Sequence, residues 1–199
     1  MLRDEHGQDR EQQECEGSQA LLQLIRPDGS KAGQIQLVDA ASHVTFGGGV
    51  FAATSDGSND SGSIGPQVSI IEPNGALRAT VPMKEPVAIA AGDSAFAVVD
   101  VDLETPDRFE SRVLFLGESG KILGEHRLPQ IPKGQPGEKI DCYSSFGDGV
   151  FVVSCLGYRR KDGVSKVKSG WAQFLEFDSS TGAVKVRRAL NDRYGFVGF

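Results

Sequence analysis

The sequence predicts an all-β fold in which one four-stranded antiparallel unit is repeated about three times. The phrase FGGGVF at residues 46–51 returns as FGDGVF at residues 146–151. Short segments rich in β-branched and aromatic residues, such as QVSII and RVLFL, follow one another and are bounded by Gly, Asp, Asn or Pro. Since no segment combines a helical period with capping residues, strands and tight turns account for the whole pattern.

Two turn markers alternate along the chain and set the length of the unit. The first is a turn followed by a small apolar residue and Phe, at Phe51, Phe96 and Phe151. The second is a turn that ends in Gly, at Gly29, Gly75, Gly120 and Gly182. In the first two units the distance from the Phe to the next Gly is about 24 residues. Once insertions at 128–138 and 158–170 are set aside, a period of about 45 residues remains, which accommodates four short strands.

The composition excludes some classes of protein. The chain has 199 residues, of which 25 are Gly, as expected for many tight turns. A formal net charge of −6 argues against a nucleic-acid partner, because such proteins are usually basic. Apolar runs are broken well before the roughly 18 residues of a membrane span, so none is predicted. Residues 1–19 carry two basic and six acidic side chains and are predicted to form a disordered acidic tail.

The segment LEFDSSTGAVKVRRAL carries a motif of a known repeat family. Through Asp178, Thr181 and Gly182 it resembles the D-x-x-T-G hairpin that ends quinoprotein repeats. The units as a whole resemble blades of bacterial quinoprotein-like and WD40-like β-propellers. This generic resemblance extends over residues 20–199 and implies a β-propeller of four-stranded antiparallel blades. Val186 stands where these repeats usually have Trp, so no quinone is expected, and no other cofactor is assigned.

The repeat divides the chain into blades. A partial blade spans residues 20–40, whole blades span 41–84, 85–130 and 138–191, and residues 192–199 begin a further strand. About three blades are fewer than the usual four to eight. The chain is therefore predicted to be a fragment of a larger propeller. The alternative is a small closed ring in which residues 20–40 pair with the C-terminal strand.

The repeated phrase is predicted to be the hairpin between the first two strands of a blade. The Asp-Gly pair at residues 148–149 forms a two-residue type I′ loop, which places Phe146 opposite Phe151. In the same register Cys142 lies opposite Cys155 as a non-hydrogen-bonded pair, whose Cα atoms approach to about 4.5 Å. Both a disulfide and two free thiols fit this distance. A disulfide would favour a periplasmic or extracellular location if the true N-terminus lies upstream, whereas the polar N-terminus of this sequence does not resemble a signal peptide.

The favoured function is a non-catalytic module that binds its partner through the loops of the propeller. The insertion at 158–170 is strongly basic. Its candidate partner-binding residues are Tyr158, Arg159, Arg160, Lys161, Lys166 and Lys168. The corresponding loop of the preceding blade, at 100–107, is acidic, so the two loops would face each other with opposite charges. The expected partner is a protein or extra propeller blades, and not nucleic acid.

The alternative hypothesis is an enzyme that uses carboxylates near the centre of the propeller. Asp39, Glu85 and Asp141 lie near the starts of first strands. Two carboxylates about 5–10 Å apart would serve a propeller-type glycoside hydrolase or lyase. Because no catalytic motif accompanies these carboxylates, the non-catalytic hypothesis is preferred and no catalytic residue is assigned.

A calcium site is a weaker alternative. Asp56, Ser58 and Asp60 are spaced as alternate oxygen ligands in the loop DGSNDSG. The loop lacks the central Gly and the final carboxylate of a calcium-binding loop. No metal site is therefore predicted.

Overall fold

Antiparallel β-strands and turns make up the described part of the protein. The computed structural model describes residues 20–25, 28–37, 41–55, 65–133, 137–161 and 164–191, and these ranges contain no helix. The strands are β1 (Ala20–Ile25), β2 (Lys31–Leu37), β3 (Ala41–Gly47), β4 (Val50–Ser55), β5 (Gln67–Ile71), β6 (Leu77–Pro82), β7 (Pro86–Ala91), β8 (Phe96–Asp102), β9 (Arg108–Leu116), β10 (Ile122–Arg127), β11 (Ile131–Pro132), β12 (Glu138–Gly147), β13 (Val150–Lys161), β14 (Val164–Asp178) and β15 (Ala183–Asn191).

The strands form three consecutive sheets, each a meander of four strands in chain order. Sheet I contains β3 to β6, sheet II contains β7 to β10, and sheet III contains β12 to β15. The short strand β11 pairs with β9 of sheet II, and β1 pairs with β2 as a separate hairpin. The prediction of an all-β fold of four-stranded antiparallel sheets is thus confirmed. None of the described sheets closes on itself, and the propeller arrangement stays a prediction.

The first hairpin of sheet III has the predicted register. Phe146 pairs with Phe151, and Cys142 pairs with Cys155. Asp148 and Gly149 have φ angles of 50° and 73°, which define a type I′ loop. The first hairpin of sheet I is built in the same way, with a Gly-Gly loop at 48–49. The repeated phrase therefore marks the same structural element twice.

The second hairpin of each sheet turns at the glycine that ends the second marker. In sheets I and III, and in the separate β1–β2 hairpin, the turn is closed by a side-chain oxygen that accepts a backbone N–H two residues ahead, at 2.9 Å in each case: Asn74, Asp178 and Asp28. The following Gly29 and Gly75, and Gly182 at the end of its turn, have φ between 73° and 89°, a range that favours glycine. Turn chemistry alone therefore accounts for the D-x-x-T-G motif.

The sheets stack face to face in chain order, with one apolar core on each side of sheet II. Val68 and Ile70 of sheet I pack with Phe96 and Leu116 of sheet II. On the other side, Phe115 and its neighbours pack with residues of sheet III. Because a fully buried Val, Leu or Phe side chain stabilises a fold by about 1.5–3 kcal/mol, these cores hold the stack together.

Small residues repeat where the second hairpins of successive sheets touch. A Cβ at Gly124 would lie 2.6 Å from the carbonyl oxygen of Gly182, and a Cβ at Gly120 would lie 2.8 Å from the Cβ of Ala79. Gly33 of β2 is equally close to the backbone of Asn74. The same contact therefore recurs from each hairpin to the next, which keeps the offset between sheets constant.

The basic insertion is extended strand rather than the expected loop. β13 continues to Lys161 and β14 begins at Val164, with Arg159 paired to Lys166 across the hairpin. A bulge between Gly157 and Tyr158 marks the point where this extension begins. Sequence patterning missed it, because a run of charged residues is more typical of a loop than of paired strands.

Candidate functional site

A cleft lies where the first strands of the three sheets meet. Strand β7 contacts both β3 and β12. The cleft has a volume of about 340 Å³ and is lined by His43, residues 85–87 and residues 140–143. Through Glu85, Val87 and Ile140 it shares its wall with a larger cleft of about 760 Å³, which extends over the β8–β9 loop and the start of β12. Both clefts lie at the end of the sheets where β7 and β12 begin.

Two of the three candidate carboxylates line the smaller cleft. Glu85 lies just before β7, and Asp141 lies on β12. Asp39 lies outside the described residues. The Asp141 carboxylate accepts a hydrogen bond from the Tyr158 hydroxyl at 3.3 Å. A residue of the candidate partner-binding set thus contacts a residue of the enzymatic alternative.

Glu85 is positioned by a buried carboxylate that sequence analysis placed in an acidic loop. Asp100 lies on β8 and is only 2% exposed. One oxygen accepts the backbone N–H groups of Lys84 and Glu85, both at 2.9 Å. The other accepts two N–H groups of Arg112, at 2.9 and 3.1 Å. Asp100 therefore anchors the connection into β7, and the expected charge pairing between loops does not apply to it. Its position inside the apolar run AFAVVDV was the signal in the sequence.

The wall of the larger cleft is held by Lys133. Its ammonium group donates to the carbonyl oxygens of Leu103 and Thr105, at 2.7 and 2.5 Å. It also lies 4.7 Å from the centre of the Phe109 ring, within the range of a cation–π interaction. The backbone N–H of Lys133 donates to the carbonyl oxygen of Asp107 at 2.8 Å. The β8–β9 loop is thus fixed at several points.

Charged and apolar groups share the larger cleft. Val87, Phe109 and Ile140 supply apolar surface, while Lys139 and Glu138, which also line the cleft, supply opposite charges. Such a mixture suits a ligand with an apolar contact surface and polar groups that fix its orientation. The sequence did not single out this set, because its members come from three separated segments.

The remaining candidate residues lie elsewhere. Arg160 and Lys161 pair with Ser165 and Val164 at the tip of the β13–β14 extension. The calcium candidates Asp56, Ser58 and Asp60 fall outside the described residues. Within the described ranges, no group of three or more His, Cys, Asp or Glu residues is placed to hold a metal ion.

A disulfide joins the first two strands of sheet III beside the smaller cleft. Cys142 and Cys155 are bonded, and their Cα atoms are 4.1 Å apart. Both are buried, and Cys142 also lines the cleft. The bond ties β12 to β13 at the level of Asp141 and so restrains the position of that carboxylate.

Two comparisons of the sequence with known proteins found no match. No model of a known protein family matches the chain, and no curated protein matches it significantly. In the part of the chain that the structure describes, no helix is long and apolar enough to cross a membrane. Function must therefore be inferred from the site itself.

Proposed function

We propose that the chain is a non-catalytic β-propeller module, or a piece of one, that binds a protein partner at the end of the sheets where β7 and β12 begin. The observation that carries this proposal is the larger cleft of about 760 Å³, with the β8–β9 loop fixed as its wall. Partner-binding residues are commonly found on loops held by a rigid scaffold.

The propeller arrangement is supported by the stacking of the sheets. Three four-stranded meanders follow in chain order, and the first strand of sheet II contacts the first strands of sheets I and III. The recurring contact of small residues between second hairpins gives each step of the stack the same geometry. Radially repeated sheets with adjacent first strands are the pattern of a propeller.

Binding of a protein is favoured by the chemistry of the larger cleft. Leu103 is exposed at its wall, and Phe109 lies beneath the Lys133 ammonium. Interface cores are typically apolar with a polar rim, and here the charged residues Lys139 and Glu138 line the cleft beside its apolar residues. The basic extension begins next to this cleft, because Tyr158 pairs with Lys139.

A phage-displayed library of random peptides tests the proposal. We expect the wild-type protein to select peptides that Leu103→Asp and Lys139→Glu no longer bind, since these changes place charge on the apolar wall and reverse a charge that lines the cleft. Lys121→Glu, an exposed change at the β9–β10 turn, is the matched control and should bind them fully. Selected peptides that bind all four proteins equally would contradict a site in this cleft.

A propeller-type hydrolase or lyase is the second candidate, because Glu85 and Asp141 line one cleft. A panel of chromogenic glycosides and uronides would be offered to the wild type, to Glu85→Gln and to Asp141→Asn. Turnover by the wild type that both variants lose would overturn the non-catalytic proposal. Turnover by none of the three, with peptide binding intact, would support it.

A further inference from the structure

The hairpin β1–β2 occupies the place of a second hairpin of a sheet. Its turn at Asp28 and Gly29 matches the turns of the other second hairpins. Gly33 rests on the backbone of Asn74 in sheet I, as Gly124 rests on that of Gly182 in sheet III. Among the described residues, β1 pairs only with β2, so one edge of β1 is not hydrogen-bonded to another described strand. In sheets I to III that edge of the third strand pairs with a first hairpin.

The surface of sheet I beside that edge carries an exposed aromatic pair. The rings of Phe46 and Phe51 are 4.7 Å apart and inclined by 51°. The equivalent rings of Phe146 and Phe151 in sheet III are 4.6 Å apart and inclined by 49°. Phe146 is half-buried where its equivalent Phe46 is 55% exposed, and Phe151 is 3% exposed where its equivalent Phe51 is half-buried. The same preformed pair is thus covered in sheet III and open in sheet I.

Within the stack, an aromatic pair is covered by the first hairpin of the preceding sheet, at the glycine just before the turn of that hairpin. Gly92 of the β7–β8 hairpin lies directly against the rings of Phe146 and Phe151, with no room for a Cβ. Gly47 lies in the same way against Ala91 and the ring of Phe96. The absent side chain lets the backbone meet the ring. The surface of Phe46 therefore fits a hairpin with glycine at this position.

The first hairpin of sheet III shows such a glycine with nothing against it. No described residue lies within 4 Å of a Cβ built at Gly147. Val150 and Val152 beside it are half-buried, while Val50 and Ala52, their equivalents in sheet I, are fully buried under sheet II. A hairpin of this kind has the surface that the Phe46–Phe51 pair requires.

We propose that the β1 edge and the Phe46–Phe51 pair together accept a two-stranded β-hairpin from a protein partner, with a glycine immediately before its turn. One strand of the partner extends the β1–β2 sheet through backbone hydrogen bonds. The glycine backbone lies on the aromatic pair, and Val44, which is 43% exposed, packs against the same hairpin. This acceptor surface depends on the stacking of the sheets and not on partner binding at the larger cleft.

The probe is a synthetic peptide of residues 138–159, closed by the disulfide between Cys142 and Cys155. Saturable binding is measured by fluorescence anisotropy of the dye-labelled peptide with the full chain. Phe46→Asp in the full chain should weaken binding by roughly tenfold or more. Gly147→Leu in the peptide should weaken it to a similar extent, because a side chain at residue 147 would collide with the Phe46 and Phe51 rings. Ile122→Asp, at another exposed apolar residue, should bind like the wild type. Val44→Asp repeats the test if Phe46→Asp fails to fold.

Two results would overturn the inference. Equal binding of the glycine and leucine peptides, or no saturable binding, would exclude a glycine-turn acceptor. A dimer of the full chain in light scattering that Phe46→Asp dissociates, with no peptide bound, would assign the surface to a second copy. The peptide library tests the larger cleft through Leu103 and Lys139, whereas the 138–159 peptide tests the β1 edge through Phe46. Failure of the proposed function can therefore be told apart from failure of this inference.

Discussion

Asp100 was expected in a solvated loop, but it is buried and positions the backbone of Glu85 at the smaller cleft. It stands in an acidic run that reads as a solvated loop, yet its side chain is buried and bonded to Arg112 and to two backbone N–H groups. A buried carboxylate is tolerated only when its acceptor positions are filled. Those partners lie at residues 84–85 and on β9. The pattern of residues along β8 alone does not show that they surround Asp100.

Asp100→Asn should therefore destabilise the protein. The variant keeps the shape but loses charge-assisted hydrogen bonds, which contribute about 1.5–3 kcal/mol. Thermal or urea unfolding would measure the loss. Asp102→Asn is the matched control: its partner Lys84 is exposed and solvent screens the pair, so a much smaller loss is expected. Equal losses for the two variants would contradict the anchoring role of Asp100.

Asp178 titrates unusually because of its turn. Hydrogen bonds from the hydroxyls of Ser180 and Thr181, and from the backbone N–H of Ser180, lower its pKa from the ordinary 3.8 to about 2. A lowered folded-state pKa means that the charged form stabilises the turn above about pH 3.8, and that this stabilisation is lost as the pH falls through about 2.

The carboxyl carbon chemical shift of Asp178, followed by NMR from pH 1 to 6, tests this assignment. We expect a midpoint near 2 in the wild type and a higher midpoint in Ser180→Ala, which removes the hydroxyl donor. Thr181→Val should shift it in the same direction by a smaller amount. A wild-type midpoint near 3.8 would show that the turn does not bind the carboxylate.

At the scale of elements, hairpins with tight turns were predictable and long extensions were not. The two-residue loop at 148–149 fixes the register of β12 and β13, because side chains alternate with period two on either side of it. The extension beyond Tyr158 has no such marker, and its pairing depends on the neighbouring strand. The wall of the larger cleft was equally hidden, since Lys133 reaches Leu103 across thirty residues of sequence.

The contact between second hairpins gives an element-scale prediction. A Cβ at Gly124 would press on the carbonyl oxygen of Gly182 at 2.6 Å, so Gly124→Ala should force sheets II and III apart. Overpacking of this kind typically costs about 1–3 kcal/mol, measurable by urea unfolding. Gly147→Ala, where no described residue is within 4 Å, should leave stability nearly unchanged. A neutral Gly124→Ala would mean that the sheets are not in close contact there.

At the scale of the whole molecule, the described residues form a stack of sheets with a protected middle. Strand β8 is buried on both faces over Phe96–Val101, since cores lie on either side of sheet II. Strand β15 is mostly exposed, and β1 is bonded to a single described strand. The sequence predicted antiparallel sheets of four strands, and the structure shows them. The sequence left open what covers the two ends, because that depends on surfaces the repeat does not encode.

Hydrogen exchange should follow this order. We expect backbone amides of β8 and β9 to exchange slowest, those of β4, β5 and β13 at intermediate rates, and those of β1, β2 and β15 fastest, because local opening is easiest where few apolar contacts are lost. Mass spectrometry after timed deuteration resolves these segments. If β1 and β2 were as protected as β8 in the isolated chain, the stack would already be covered at that end, and the hairpin acceptor would be occupied from within. If β1 and β2 gained protection only with the disulfide-closed peptide, the open edge would be where the molecule receives its partner.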